Sequence, residues 1–168
     1  MKYLIPVNSS TAALAPIEHL VAAARQGTPV EAVLLNVQRP FNQRVSRLTH
    51  KADRDALHAE RSRAIMSAAI ESLSRAGIPF RAMTDVGAPA ECIAAVAENQ
   101  QVDQILMGGA NRPRWTSWLL ASTTREVAAH TGVPVALVGG EAPATNPYLL
   151  LAGVAGAAGI AALLLTAD

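Results

Sequence analysis

Short apolar runs alternate with longer stretches in which apolar residues recur three and four positions apart. The runs cover residues 2–7, 29–37, 78–86, 102–107 and 135–138, and Asn, Gly or Pro follows each of them closely. Runs of that length bounded by turn formers predict buried strands. Between them, Leu14, Ile17, Leu20, Val21 and Ala24 predict a helix over residues 12–26, stopped by Gly27. Ile65, Met66, Ala69, Ile70 and Leu73 form the apolar stripe of a longer helix over residues 51–76, stopped by Gly77. Pro89 suits the first turn of a third helix, with Ile93, Val96 and Ala97 facing inward. A fourth starts at Ser117 or Ser122 and runs to about His130. Residues 41–49 read equally as a loop or an early helical turn. The run over residues 78–86 alternates only weakly, which places it near a sheet edge.

Strands alternating with helices imply an α/β domain over residues 1–140, with a parallel sheet, right-handed crossovers and helices on both faces. Such sheets take ligands beyond the carboxyl ends of their strands, where the strand order reverses. The segments to watch are therefore residues 8–11 and 108–122.

The pattern then changes. Residues 141–147 carry two prolines and read as a linker. Residues 148–165 hold no charge and, after Tyr148, are Leu, Ala, Gly, Val and Ile throughout. At helical rise they cover about 27 Å, against roughly 30 Å for a bilayer core, which predicts a single transmembrane helix. The competing reading is an apolar helix buried in a dimer or a partner. Gly153, Gly156 and Gly159 would let another membrane helix approach closely, although an Ala-rich anchor needs no such partner. Only Thr166, Ala167 and Asp168 follow, so the α/β domain is expected in the cytoplasm, on the inner (cytoplasmic) membrane.

Composition sharpens this picture. Hydrophobic residues make up 51% and charged residues 16%, and the tail supplies much of the excess. A net charge of +1 and 4% aromatics exclude a basic nucleic-acid groove or a base-stacking platform. Cys92 is the only cysteine, so no internal disulfide forms; it sits on an apolar helix face and is expected in the core. Pro6 and Asn8 break the first apolar run before it reaches signal-peptide length.

Four segments together resemble the universal stress protein family. Residues 4–10 (Leu-Ile-Pro-Val-Asn-Ser-Ser) are similar to its opening strand, and Gly87-Ala88-Pro89 with Ile93 to a helix start of the family. Asp103 with Ile105, Leu106, Met107 and Gly108 is similar to its fourth strand, and Pro134-Val135-Ala136-Leu137-Val138 to its last. The resemblance implies a flavodoxin-like five-stranded sheet in the order 3-2-1-4-5. It also implies pairing of two copies through the last strand, residues 135–138 (Val135 through Val138).

ATP-binding members of that family carry Gly-x2-Gly-x9-Gly-Ser/Thr. The spacing is kept here, with Gly108 at the first glycine and Ser122 at the hydroxyl, but Asn111 and Ala121 stand at the other two glycines. Asn8 stands where the family has an acidic residue near the nucleoside. Asn111 puts a side chain where backbone would approach a phosphate, and Pro113 removes an N–H donor. Arg112 and Arg114 either hold phosphate or simply face solvent. Arg114, Trp115 and Trp118 suit a membrane–water interface or an integral-membrane partner, whereas Trp118 also reads as core beside Leu119.

No metal-ligand spacing, nucleophile elbow or complete Walker loop is present. His58 and the carboxylates Asp53, Asp55 and Glu60 read as one solvated helix face. The expectation is a non-catalytic, membrane-tethered accessory or regulatory subunit of an integral-membrane complex of transporter or respiratory type. The alternative is a sensor that binds ATP or another adenine nucleotide at Asn8, Gly108, Asn111, Arg112, Ala121 and Ser122 and regulates such a partner. A slow nucleotide hydrolase would need a general base or a full metal site, and the sequence offers neither.

Overall fold

The first apolar run forms β1 (Lys2–Pro6), which lies between β2 (Glu31–Gln38) and β4 (Gln104–Gly109). The computed structural model describes residues 1–41, 50–109, 117–139 and 149–151. β3 (Phe80–Val86) adds outside β2, β5 (Val135–Gly139) adds outside β4, and all of these pairings are parallel. The expected order 3-2-1-4-5 is therefore observed. Leu4 stands opposite Val33 on one side and Ile105 on the other. β3 lies at the edge, and none of its residues is fully buried.

Successive residues of a strand point to opposite faces, and the core divides accordingly. Ile5, Leu34, Leu106 and Ala136 pack on one face beneath α1 (Ala15–Arg25) and α2 (Lys51–Arg75), against Ile17, Leu20, Met66 and Leu73. Leu4, Val33, Leu35, Ile105 and Val135 pack on the other face beneath α3 (Pro89–Asn99) and α4 (Ser117–His130), against Ile93, Val96 and Val127. A fully buried aliphatic side chain contributes about 1.5–3 kcal/mol. Exposed ion pairs such as Lys51–Asp55 and Glu71–Arg75 are screened by water and decorate α2 without determining it.

The helix expected over residues 12–26 is divided. Thr11–Leu14 is a 3-10 turn capped by Ser10, and α1 begins at Ala15. Pro16 explains the break, because proline lacks an N–H and is tolerated only in a helix's first turn. Gly27 and Gly77 take φ of +85° and +67° just past the ends of α1 and α2. At the matching place after α3 stands Gln101, at φ +50°.

The tail departs from expectation. Leu149–Leu151 is a short strand, β6, paired antiparallel to β5 with Leu150 opposite Ala136. A transmembrane helix beginning at Tyr148 is incompatible with that pairing. The outer edge of β5 offers unpaired backbone groups, and three leucines satisfy them. Residues 152–165, including Gly153, Gly156 and Gly159, lie outside the described residues, as do residues 42–49 and the linker. Among the described residues, no helix is long and apolar enough to cross a membrane. β6 also occupies the β5 edge through which a second copy was expected to pair.

Candidate functional site

The site grows out of the end of β1. The Val7 N–H donates to the Leu35 carbonyl at 2.8 Å, and the Asn36 side-chain amide donates to the Val7 carbonyl, also at 2.8 Å. Asn36 is 2% exposed and so ties the end of β1 to β2 from within the core. The chain then turns sharply. Asn8 Oδ1 accepts from the Ser10 N–H at 2.9 Å, and Ser10 Oγ accepts from the Ala12 N–H at 3.3 Å, which caps the 3-10 turn.

That turn lies on the end of β4. A Cβ on Gly108 would stand 1.9 Å from the Ala12 carbonyl oxygen. Gly108 is thus fixed by the approach of the β1–α1 turn, whatever its role toward a ligand.

Between these ends opens a cleft of about 210 Å³, over β1, β2 and β4. Its walls are mainly apolar, with Val7, Leu35, Val37, Ile93 and Met107. Among the described residues, its polar side chains are Asn8, Ser10 and Thr123. β1 is the strand at which the order reverses, since β2 follows it on one side and β4 on the other. The cleft therefore occupies the place that open α/β sheets use for ligands.

Of the expected site residues, Asn8 and Gly108 line this cleft. Ala121 and Ser122 lie in α4, which starts at Ser117, so they are past the first helical turn and beyond its free N–H groups. Their neighbour Thr123 reaches the cleft. Trp118 lies in the first turn of α4. Asn111, Arg112, Arg114 and Trp115 lie outside the described residues.

Sequence reasoning missed the polar network beside the cleft. Gln38 Nε2 donates to Asn36 Oδ1 at 3.1 Å and to the His58 carbonyl at 2.7 Å, and Gln38 Oε1 lies 2.6 Å from His58 Nδ1. His58, expected on a solvated face, is only 7% exposed, with the Phe41 ring 4.5 Å away between centroids. The pairing with Gln38 explains the burial, because it satisfies groups that would otherwise need water. Ser62 and Thr84 join α2 to β3 in the same way. The signal available in sequence was Asn36 itself, one polar residue inside the run Val33-Leu34-Leu35-Asn36-Val37. Asp53, Asp55 and Glu60 are exposed as expected.

Cys92 is half-buried rather than in the core, at the start of α3 beside Asp85. Burial pushes its thiol up from the usual range, and the Asp85 carboxylate adds to the shift. Among the described residues, no three of His, Cys, Asp and Glu gather to hold a metal.

Several solved structures share this architecture. The hypothetical protein MJ0577 aligns with a TM-score of 0.65 at 23% identity, over 83% of this chain and 96% of its own. A universal stress protein family protein from Arabidopsis thaliana, solved with AMP bound, aligns with a TM-score of 0.61 at 16% identity, over 87% of this chain and 95% of its own. A universal stress protein in complex with cAMP gives 0.58 at 20% identity, over 82% and 96%. No curated protein sequence matches the chain. The Universal stress protein family profile matches residues 1–139, the whole stretch that carries the five parallel strands and the cleft, and the chain belongs to that family.

Proposed function

We propose that this chain is a non-catalytic nucleotide-binding regulator, with the nucleotide held in the cleft over β1, β2 and β4. The observation that carries this reading is the position of the cleft at the strand-order reversal, with Asn8, Gly108 and Thr123 on its lining. Apolar walls suit a flat base, and the polar groups suit its edge or a sugar. Structural neighbours that hold AMP and cAMP make adenine nucleotides the first to test.

Calorimetry of the full chain with AMP, cAMP and ATP tests the proposal. Saturable binding that is lost in Val37→Trp, whose side chain fills the cleft, supports it. Absence of heat with all three counts against it. The non-catalytic part predicts that bound nucleotide is recovered intact after prolonged incubation.

A membrane-tethered accessory role is a second reading. It rests on the uncharged residues 152–165 and on the small-residue spacing there. Recovery of the full chain in a sedimented membrane fraction, released only by detergent, would support it. Recovery in the supernatant would end it.

A further inference from the structure

Among the described residues, β3 ends the sheet on the side away from β5. Its register with β2 runs unbroken from Phe80 to Val86, with no bulge and no proline to blunt the edge. The hydrogen bonds to β2 fix which backbone groups face outward. The Gly87 N–H donates to the Gln38 carbonyl at 2.9 Å, and the Pro79 carbonyl accepts from the Ala32 N–H at 3.0 Å. Arg81, Met83 and Asp85 therefore turn their backbone groups to β2, and Phe80, Ala82, Thr84 and Val86 turn theirs away from it. The Val86 N–H is held by the Asp85 carboxylate at 2.8 Å.

The side chains alternate as well. Met83 packs on the core face that carries α3, and Arg81 and Asp85 share its side of the strand. Phe80 packs on the α2 face, where Thr84 meets Ser62. Arg81, Ala82 and Thr84 are exposed, and Val86 is 43% exposed.

This strand is complementary to its own reverse. Set antiparallel about Met83, the sequence Phe-Arg-Ala-Met-Thr-Asp-Val places Arg81 opposite Asp85, Phe80 opposite Val86 and Ala82 opposite Thr84. Each charge meets its opposite, and the exposed valine meets an aromatic ring. The outward backbone groups of Ala82 and Thr84 then face each other, as a hydrogen-bonded antiparallel pair requires. Centring the pair on Ala82 or Thr84 instead also sets outward groups opposite one another, but puts Arg81 against Met83 or Gly87 and loses both charge pairs.

We infer that a second copy of this chain docks on β3, antiparallel and about a two-fold axis at Met83, so that the two sheets run on into one. Ala82 exchanges hydrogen bonds with the partner's Thr84. Arg81 lies across from the partner's Asp85, and the symmetry makes that contact twice.

Sedimentation equilibrium of the full-length chain over a concentration series tests this, with charge reversals at the two positions. R81E and D85R each set like charges opposite one another at both contacts and should weaken association by about tenfold or more. An equimolar mixture of the two variants pairs carboxylates only with guanidinium groups, so it should associate like the wild type. Circular dichroism checks that each variant is folded. Hydrogen exchange of the wild type needs no variant: the Ala82 and Thr84 amides should slow as concentration rises, while that of Met83, already bonded to β2, should not change. A wild type that stays monomeric with freely exchanging Ala82 and Thr84 amides would overturn the inference and leave the edge to a strand of some other protein. Association indifferent to either reversal, or a mixture no stronger than its components, would overturn it equally.

Discussion

Gly108 lies directly beneath the carbonyl of Ala12: a methyl group in place of its hydrogen would sit 1.9 Å from the oxygen and 2.6 Å from the carbonyl carbon. Both atoms belong to backbone, so no rotamer change relieves the overlap. At Gly109 the nearest atom to an added Cβ is 3.6 Å away, an ordinary contact. Gly108→Ala is therefore expected to destabilise the chain by about 1–3 kcal/mol, the usual cost of overpacking, and Gly109→Ala by much less. Urea denaturation of the two variants side by side checks this, and equal midpoints would mean that the turn does not rest on β4.

Asn36 is expected to matter to both fold and cleft. Asn36→Leu preserves volume but leaves the Val7 carbonyl without its donor and removes an acceptor from Gln38. A buried group stripped of its partner costs about 1–3 kcal/mol. The loss should appear as a lower denaturation midpoint, with weaker nucleotide binding because Asn8 follows Val7. Unchanged stability would show that water replaces the amide.

Gln101 holds φ +50°, where the ends of α1 and α2 use glycine. It is exposed, so its side chain has little packing to lose. Gln101→Gly should stabilise the chain by about 0.5–1 kcal/mol, the left-handed penalty less glycine's extra entropy. A thermal melt that moves down instead would mean that the side chain does more than cap.

Cys92 should be a sluggish nucleophile. Burial and then the Asp85 carboxylate disfavour the thiolate, so at neutral pH less of it is ionised than in an unfolded chain. Alkylation by iodoacetamide should therefore be slower in native than in urea-unfolded protein. Asp85→Asn removes one charge and should speed the native reaction several-fold. As pH rises the native and unfolded rates should converge, because the raised thiol ionises last.

The β5–β6 pairing predicts slow hydrogen exchange at the outward-facing amides of Val135 and Leu137 in the full chain. Leu151→Pro removes the N–H that faces Val135 across the pair and should expose them. Fast exchange in the unaltered chain would show that β6 is not seated in solution.

The sequence made the parallel sheet legible because its apolar runs are separated by helices with clear stops, Gly27 and Gly77 among them. The edge position of β3 was legible from its weak alternation. What it could not show was pairing between distant side chains. His58 sits in a charged helix, and only Gln38, 20 residues away, makes its burial tolerable. Asn8 and Gly108, singled out in the sequence, line the cleft, but the reason for Gly108 was hidden, because it depends on a carbonyl nearly a hundred residues earlier. The three leucines of β6 are too few to show any period, so an uncharged tract gave no sign that its first turn would join the sheet.

Val7, Leu35, Ile93 and Met107 are at once walls of the cleft and members of the buried core. Trimming any of them to admit a bulkier guest would loosen the sheet in the same stroke. Evolution or an engineer wishing to change what this chain recognises has freer play at Thr123, and at Asn8 and Ser10 for any residue that keeps an oxygen for the turn, so that the rim is rewritten and the foundations stay.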